Sequence, residues 1–428
     1  MKTQSEIPLI FNLFPRHYRT IDDWAGVIPH VKEMGFNSIF VNPFHMTGFS
    51  GSLYAVKDYY KLNPLFLNKG RDPVDFTPLK QFIGKCRSAG IDLIMDLVVN
   101  HTAFDSVLVD SNPLWYKRDK EGKLVCPFAI DPGNAANVTV WGDLAIIDNE
   151  NSKDREGLWK YWESMVNFYQ DMGFSGFRCD AAYQVPAALW ERLIGSAKKH
   201  NPQTIFYAET LGCQVYQIEA LGNVGFDYLF NSSKWWVFDK PWALEQHEIN
   251  RKFAPSVAFP ESHDTERQAS LPPGTQEAQK QRYAFAAVFS KGLMMPMGYE
   301  YGAKTRMDVV RGRPEDIDKP QWNISTWIAQ LNNLKTSIPV LCSEGIWRSL
   351  SDYNLPYIFL EKSSDDGKQK VYFCINKNQS YETIVKDWMI PDEVRKCNKA
   401  IQLIASPEKE ESVPPAFSLD PADMLFFM

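Results

Sequence analysis

The sequence predicts an α/β fold in which eight short parallel strands, each followed by a helix, close into a (β/α)8 TIM barrel. Short apolar, β-branched runs alternate with helical patterns from the N-terminus to about residue 305. This alternation is typical of a parallel sheet built from strand–helix units. Eight strands can be counted, and that number favours a closed barrel over an open sheet.

The elements follow one another in a regular order. A helical stripe begins at Thr20, and Pro29 inside it should kink or shorten the helix. A second helix begins at Thr77, and a third stripe, with apolar residues at spacings of three and four, ends before Gly173. The eight predicted strands cover residues 7–13, 37–41, 91–99, 175–179, 204–208, 225–230, 256–259 and 293–297.

Two stretches depart from this pattern. Residues 103–149 are polar, rich in turns and too long for an ordinary loop, so we predict an inserted subdomain after the third strand. Residues 337–428 contain short strands separated by turn-forming residues, which predicts a C-terminal antiparallel β-domain, a β-sandwich packed on the barrel. The catalytic barrel is then formed by residues 1–102 and 150–336.

Composition and charge exclude several classes of partner. Lys and Arg number 46 against 52 Asp and Glu, and no dense basic run occurs, so neither nucleic acid nor an anionic membrane is expected to bind. No apolar run approaches the roughly 20 residues of a membrane helix. The first residues also lack the pattern of a signal peptide, and we therefore expect a cytoplasmic protein. The seven cysteines include no CxxC pair, which indicates neither a disulfide framework nor a zinc cluster.

Polar side chains gather where the predicted strands end. Because the carboxyl ends of barrel strands form the active-site mouth, these side chains should lie close together. A single strand-end aspartate is often only a helix cap, but three carboxylates and two histidines at one face predict an active site. The three carboxylates are Asp180, Glu209 and Asp264, and the two histidines are His101 and His263. The same segments also carry Asn100, Arg178 and, within the third strand, Asp96.

Four motifs, in order, resemble the signature regions of the α-amylase family, glycoside hydrolase family 13. They are DLVVNHT at 96–102, GFRCD at 176–180, the glutamate of FYAET at 206–210, and SHDTER at 262–267. One such motif alone would carry little weight, whereas the ordered set is specific. The resemblance covers essentially the whole chain, including the insertion and the C-terminal region.

The resemblance implies retaining glycoside chemistry, in which one carboxylate is the nucleophile and another the general acid/base. By match, Asp180 corresponds to the nucleophile, Glu209 to the acid/base, and Asp264 to a third carboxylate that binds sugar hydroxyls. Arg178, two residues before Asp180 on the same strand face, would keep that aspartate ionised. The other implied substrate-binding residues are His101, His263, Tyr54 as a stacking platform, and Arg267, which would reach the next sugar.

One departure from the family pattern concerns calcium. Many members carry Lys and His three and four residues after the nucleophile, the His beside a structural calcium, whereas this chain has Tyr183 and Gln184 there. Asn100 keeps the character of an oxygen ligand, and Asp131 or Asp143 could contribute to a site. We therefore expect no required cofactor and no tight calcium site, with Asn100 as the main candidate ligand.

The resemblance implies a retaining glycoside hydrolase that acts on α-1,4-glucan or maltooligosaccharides by double displacement. An intracellular 4-α-glucanotransferase or maltosyltransferase would use the same triad, because hydrolysis and transfer differ only in whether water or a sugar hydroxyl attacks the intermediate. A third hypothesis is a non-catalytic amylase-like scaffold. Such a scaffold would be expected to lose triad carboxylates, and this chain retains all three.

Overall fold

A closed barrel of eight parallel strands forms the centre of the protein, and the predicted fold class is confirmed. The computed structural model describes residues 7–131, 134–236 and 240–428. The last strand pairs with the first and closes the barrel. The barrel strands are β1 Leu9–Leu13, β2 Ser38–Val41, β3 Asp92–Leu97, β4 Gly176–Cys179, β5 Ile205–Glu209, β6 Tyr228–Phe230, β7 Ser256–Ala258 and β8 Gly292–Pro296.

Burial explains why these strands read as continuous apolar runs. Every residue of β1, β2, β4 and β8 is buried, because helices cover the outer face and side chains fill the interior.

Among the described residues, none of the helices combines the length and the apolar character needed to span a bilayer. The main helices are Ile21–Trp24, Ile28–Glu33, Thr77–Ser88, Arg155–Met172, Ala187–His200, Val215–Ala220, Trp242–Asn250, Gln276–Phe289 and Ser325–Ser337.

The first helical segment is interrupted where the sequence predicts it. A 3-10 turn, Ala25–Val27, separates the helices Ile21–Trp24 and Ile28–Glu33. Pro29 lies in the first turn of the second helix. A proline there has no helical hydrogen bond to lose, so the chain starts a new helix instead of bending one.

Antiparallel pairs replace the barrel pattern after β3. The strand His101–Ala103 pairs with Leu144–Ile146, and Phe128–Asp131 pairs with Asn134–Val140. A short helix, Val107–Ser111, lies in the chain between the strands His101–Ala103 and Phe128–Asp131. Apart from His101 and Thr102, these elements fall in the stretch predicted as an insertion, whose boundaries stay a prediction.

The C-terminal region is antiparallel, as predicted. A two-stranded sheet pairs Thr383–Val385 with Phe417–Leu419, and a short helix covers Asp392–Arg395. The ring of Trp347 stacks on Phe289 of the barrel at 4.8 Å, so the two parts share an apolar contact. The main sheet contains, in spatial order, Ile346–Ser349, Tyr357–Ser363, Lys370–Asn376, Met424–Phe427, Ala400–Gln402 and Glu410–Glu411.

Candidate active site

Arg178, on β4, is the centre of a charged cluster at the carboxyl end of the barrel. Its Nη1 donates to Asp180 Oδ1 at 2.7 Å and to both oxygens of Asp96, at 2.8 and 3.0 Å. Its Nη2 lies 4.0 Å from Glu209 Oε2. Burial lowers the pKa of Arg178, but the surrounding carboxylates outweigh this effect and raise it well above its usual value. One buried cation therefore contacts two carboxylates and lies near a third.

Asp96 is a site residue that the sequence analysis did not assign. The β3–β4 register places it directly beside Arg178, and Tyr54 Oη donates to its Oδ2 at 2.6 Å. Burial raises the pKa of Asp96 to about 6, although Arg178 opposes the shift. A signal was available in the sequence, because a charged residue inside an apolar buried strand is costly unless it is paired.

The backbone after Asp180 is strained. Ala181 has a φ of 40° and a ψ of 48°, in the left-handed region that residues other than glycine rarely adopt. Its N–H donates to Glu209 Oε2 at 3.0 Å. This turn therefore connects the end of β4 to the carboxylate of β5. Asp180 itself accepts from Arg178 through Oδ1, and no other side chain of the described residues hydrogen-bonds its carboxylate.

Glu209 is the last residue of β5, and its carboxyl lies in a nearly closed environment. Its Oε1 accepts from the Leu211 N–H at 2.7 Å. Burial raises the pKa of Glu209 to about 7, with Asp180 and Asp264 adding to the effect and Arg178 opposing it. A carboxyl group with a pKa near neutrality can both give and accept a proton, as a general acid/base must.

His263 and Tyr54 form a stacked pair beside this cluster. Their ring centroids are 5.4 Å apart with an interplanar angle of 8°, and His263 Nε2 lies 2.6 Å from Tyr54 Oη. Because Tyr54 Oη donates to Asp96, it accepts from His263, so Nε2 carries the proton. The structure therefore brings both predicted substrate-binding residues next to the Arg178 cluster.

Asp264 lies at the open edge of the site. Its Oδ2 is 2.9 Å from His263 Nε2. Burial raises the pKa of Asp264, but His263, Arg178 and Arg306 outweigh it and lower the pKa to about 2. Its side chain is 51% exposed, so solvent weakens these charge effects, and the carboxylate is accessible to a ligand.

His101 also lies in this cluster, at the start of the strand that follows β3. A backbone group of Tyr54 hydrogen-bonds its ring, and burial lowers its pKa. Its Nε2 is buried without a partner among the described residues. A buried nitrogen without a partner is unusual, and a ligand hydroxyl would satisfy it.

The structure contradicts the prediction that Arg267 reaches a sugar. This residue is 1% exposed; its Nη1 lies 3.1 Å from Glu261 Oε1, and its Nη2 donates to the Met297 carbonyl. The prediction was wrong because the buried Glu261 needs a counterion, and Arg267 supplies it. The exposed arginine beside the site is Arg306, whose Nη2 donates to the Asp264 carbonyl at 2.6 Å.

The residues present do not fit a calcium ion. Asn100 Oδ1 is buried and unpartnered within the described part of the chain, which suits an oxygen ligand. Calcium takes about six to eight oxygens, and no three His, Cys, Asp or Glu side chains of the described residues lie close enough to hold a metal. The side chain of Asp131 lies outside the described residues. That no cofactor is required stays a prediction.

A closed barrel with three carboxylates and a buried arginine at its mouth is the architecture of glycoside hydrolases and transglycosylases. Residues 9–119 match the family profile described as the glucanotransferase domain of glycogen debranching enzyme. An α-1,4-glucan:maltose-1-phosphate maltosyltransferase of Burkholderia pseudomallei is 25% identical over 78% of this chain and 29% of its own length. Alpha-amylase 2 of Dictyoglomus thermophilum is 22% identical over 79% of this chain and 62% of its own.

The fold agrees with these matches. The crystal structure of an α-amylase from Lactobacillus plantarum superposes with a TM-score of 0.76, at 18% identity and with 98% of both chains covered. These matches confirm the predicted resemblance to the α-amylase family, glycoside hydrolase family 13. The chain spans less than two thirds of the length of three curated relatives that it matches, with shares of 29, 58 and 62%.

Proposed function

We propose that this protein is a retaining enzyme that cleaves α-1,4-linked glucan or maltooligosaccharides by double displacement. The observation that carries the proposal is the arrangement around Arg178. One guanidinium contacts Asp180 and Asp96 and lies 4.0 Å from Glu209. Two carboxyl groups lie beside one cation, and burial raises the pKa of one of them, Glu209, to about 7. A nucleophile and an acid/base require such a pair.

In the first step, Asp180 attacks the anomeric carbon of the sugar. Arg178 holds its Oδ1, which leaves the other carboxylate oxygen as the attacking atom. The bond from that carbon to the glycosidic oxygen breaks, and Glu209 protonates the departing oxygen. The buried guanidinium of Arg178 orients the Asp180 carboxylate through its hydrogen bond.

In the second step, Glu209 works in the opposite direction. An acceptor O–H gives its proton to the Glu209 carboxylate while its oxygen attacks the anomeric carbon, and the ester bond to Asp180 breaks. A pKa of about 7 makes both protonation states available at neutral pH. Two displacements at one carbon return the original α configuration.

The residues around the triad suit sugar binding. The exposed Asp264 carboxylate and the unpartnered His101 Nε2 can each bond a hydroxyl group. The Tyr54 ring lies beside His263 and nearly parallel to it, and we assign its aromatic face to stacking on a pyranose ring. These assignments support cleavage at the sugar bound between Tyr54 and Asp180.

Transfer to a sugar hydroxyl is the better-supported second step. The matching family profile is named for a glucanotransferase, and several relatives are named as maltosyltransferases that use maltose-1-phosphate. Hydrolysis is the second candidate, supported by the amylase names of other matches. The scaffold hypothesis is disfavoured because Asp180 and Glu209 lie beside one buried cation and Asp264 lies at the open edge of the same site. The cytoplasmic location remains part of the proposal, and cell fractionation tests it.

Product analysis separates these functions. We expect purified protein to convert maltoheptaose to both longer and shorter sugars, which chromatography resolves. Shorter sugars alone would identify a hydrolase, and no product from either maltoheptaose or maltose-1-phosphate with a glucan acceptor would contradict the proposal. Release of inorganic phosphate that depends on added glucan would identify maltose-1-phosphate as the donor.

A further inference from the structure

Trp235 is a large exposed aromatic residue at the mouth of the barrel that has no role in the steps above. Its residue surface is 48% exposed. It belongs to the 3-10 turn Ser233–Trp235, which follows directly after β6. The loops after the strands form the functional face of a barrel, so an aromatic ring exposed there lies where it can meet a substrate.

The turn that presents this ring is firmly held. The buried Arg282 donates from Nη1 to the Trp236 carbonyl at 2.8 Å and from Nη2 to the Lys234 carbonyl. Asn231 Oδ1 accepts from the Ser233 N–H at 3.0 Å. Two neighbouring side chains therefore fix the backbone on both sides of Trp235, and its ring is exposed from a rigid support, which lowers the entropy cost of binding a ligand.

The ring lies beside the loop that carries the acid/base. In the β5–β6 pairing, Glu209 is directly opposite Phe230, so both loops start from adjacent positions. Gly212, three residues after Glu209, has a φ of +73°, and a Cβ placed on it would lie 3.4 Å from the Trp235 ring. The Gly212 N–H also donates to Ser232 Oγ at 3.3 Å. Trp235 is thus in contact with the chain segment that begins at Glu209.

This position determines which part of a substrate the ring can meet. Glu209 protonates the departing sugar and later takes the proton of the incoming hydroxyl, so its side of the site holds the leaving group and then the acceptor. The C–H face of a pyranose ring buries apolar area when it packs on an aromatic ring. We propose that Trp235 is the stacking platform for the acceptor sugar and that it favours transfer over hydrolysis.

This inference rests on the proposed function and adds a residue that selects the acceptor. The transfer step is the attack of an acceptor hydroxyl oxygen on the anomeric carbon, with the proton going to Glu209 and the bond to Asp180 breaking. A sugar held on Trp235 places its hydroxyl at the carbon and displaces the water that would otherwise attack. The stacking contact contributes no chemistry of its own.

The experiment uses α-maltosyl fluoride as donor and maltotriose as acceptor. Fluoride release reports formation of the intermediate. Because the leaving group of this donor is fluoride, no sugar occupies the leaving-group side during that step. For Trp235→Ala we expect the acceptor KM to rise about tenfold and the ratio of transfer to hydrolysis to fall by a similar factor. Fluoride release without acceptor should stay within about twofold of the unaltered protein.

Three variants separate stacking from folding. Trp235→Phe keeps a flat aromatic face and should recover much of the acceptor affinity, whereas Trp235→Leu, which is apolar but not flat, should not. Trp388→Ala removes a tryptophan that is 72% exposed in the C-terminal region and should change nothing. If Trp235→Ala does not fold by circular dichroism, the Phe and Leu variants decide the question.

Several results would overturn the inference. They are an acceptor KM within twofold of the unaltered protein, equal losses in fluoride release and transfer, or a Leu variant as good as Phe. An unaltered protein that releases fluoride but makes no transfer product would overturn the platform and leave hydrolysis standing. An unaltered protein that neither releases fluoride nor cleaves maltooligosaccharides would overturn the proposed function, and the platform with it.

Discussion

Arg178 and Arg267 are both buried arginines of signature motifs and both pair with carboxylates, but they contact different parts of the molecule. Arg178 contacts Asp96 and Asp180 at the mouth of the barrel. Arg267 contacts Glu261 and donates to backbone carbonyls of the segment after β8. The first arginine lies among groups that can react, and the second holds two loops together.

The difference follows from where each arginine lies in the fold. Arg178 is on a strand, two residues before Asp180, and residues two apart on a strand face the same side. Arg267 is in a loop three residues after Asp264, where no periodicity fixes the direction of its side chain. For these two arginines, strand periodicity predicts the side-chain direction of Arg178 and gives none for Arg267.

The largest expected effect concerns Asp180, the carboxylate that Arg178 hydrogen-bonds at the mouth of the barrel. Asp180→Asn should reduce glucan turnover on the order of 10⁴-fold or more, because an amide cannot act as the nucleophile. Initial rates on maltoheptaose measure the loss, and mass spectrometry verifies that the amide has not reverted to the acid. Activity like that of the unaltered protein would remove Asp180 from this role.

The matched variants Arg178→Gln and Arg267→Gln test whether the two buried arginines have different roles. Arg178→Gln should lower kcat about 10²-fold, because Asp180 loses the hydrogen-bonded cation that orients it. Arg267→Gln should leave the kcat of the folded enzyme within a few-fold. It should lower the free energy of unfolding by about 3–5 kcal/mol, because Glu261 is left as an unpaired buried charge.

The double variant Arg267→Gln/Glu261→Gln is the control for this pair. With both charges removed, part of the lost stability should return in denaturant unfolding. A large fall in kcat for Arg267→Gln at full folding would mean that this arginine does reach the reaction. Equal kcat values for the two single variants would show that Arg178 and Arg267 do not differ in their importance for the reaction.

The pH dependence is a smaller effect that tests Glu209. Since burial raises the pKa of this acid to about 7, the protonated form needed for the first step is lost as pH rises through 7. For a maltooligosaccharide, kcat/KM should therefore fall about tenfold per pH unit on the alkaline side. Glu209→Gln should lose this limb when assayed with a glycosyl fluoride, whose leaving group needs little acid. A limb unchanged in that variant would assign it to another group.

The smallest expected effect concerns metal. Because the described residues offer no set of calcium ligands around Asn100, dialysis against EDTA should leave both activity and melting temperature unchanged. Melting curves with EDTA and with added calcium measure this, since a metal that binds only the folded state raises its stability. A fall in melting temperature that calcium reverses would contradict the expectation.

The sequence by itself determined the barrel and its charged end. Strand and helix periodicities are local properties, so β3 and β4 could be recognised from their apolar runs within a few residues of their ends. The carboxylates at those ends could be found because the barrel geometry gathers them at one face. The order of the motifs then indicated the family.

Tertiary structure decided what depends on distant contacts. The direction of Arg267 depends on Glu261, the pKa of Glu209 depends on burial among groups from other strands, and Asp96 acquires its role from its neighbour Arg178. Trp235 became a candidate platform only because its ring lies over a loop that follows a different strand. Burial and long-range pairing have no local pattern, since they arise when separate segments of the chain fold against one another.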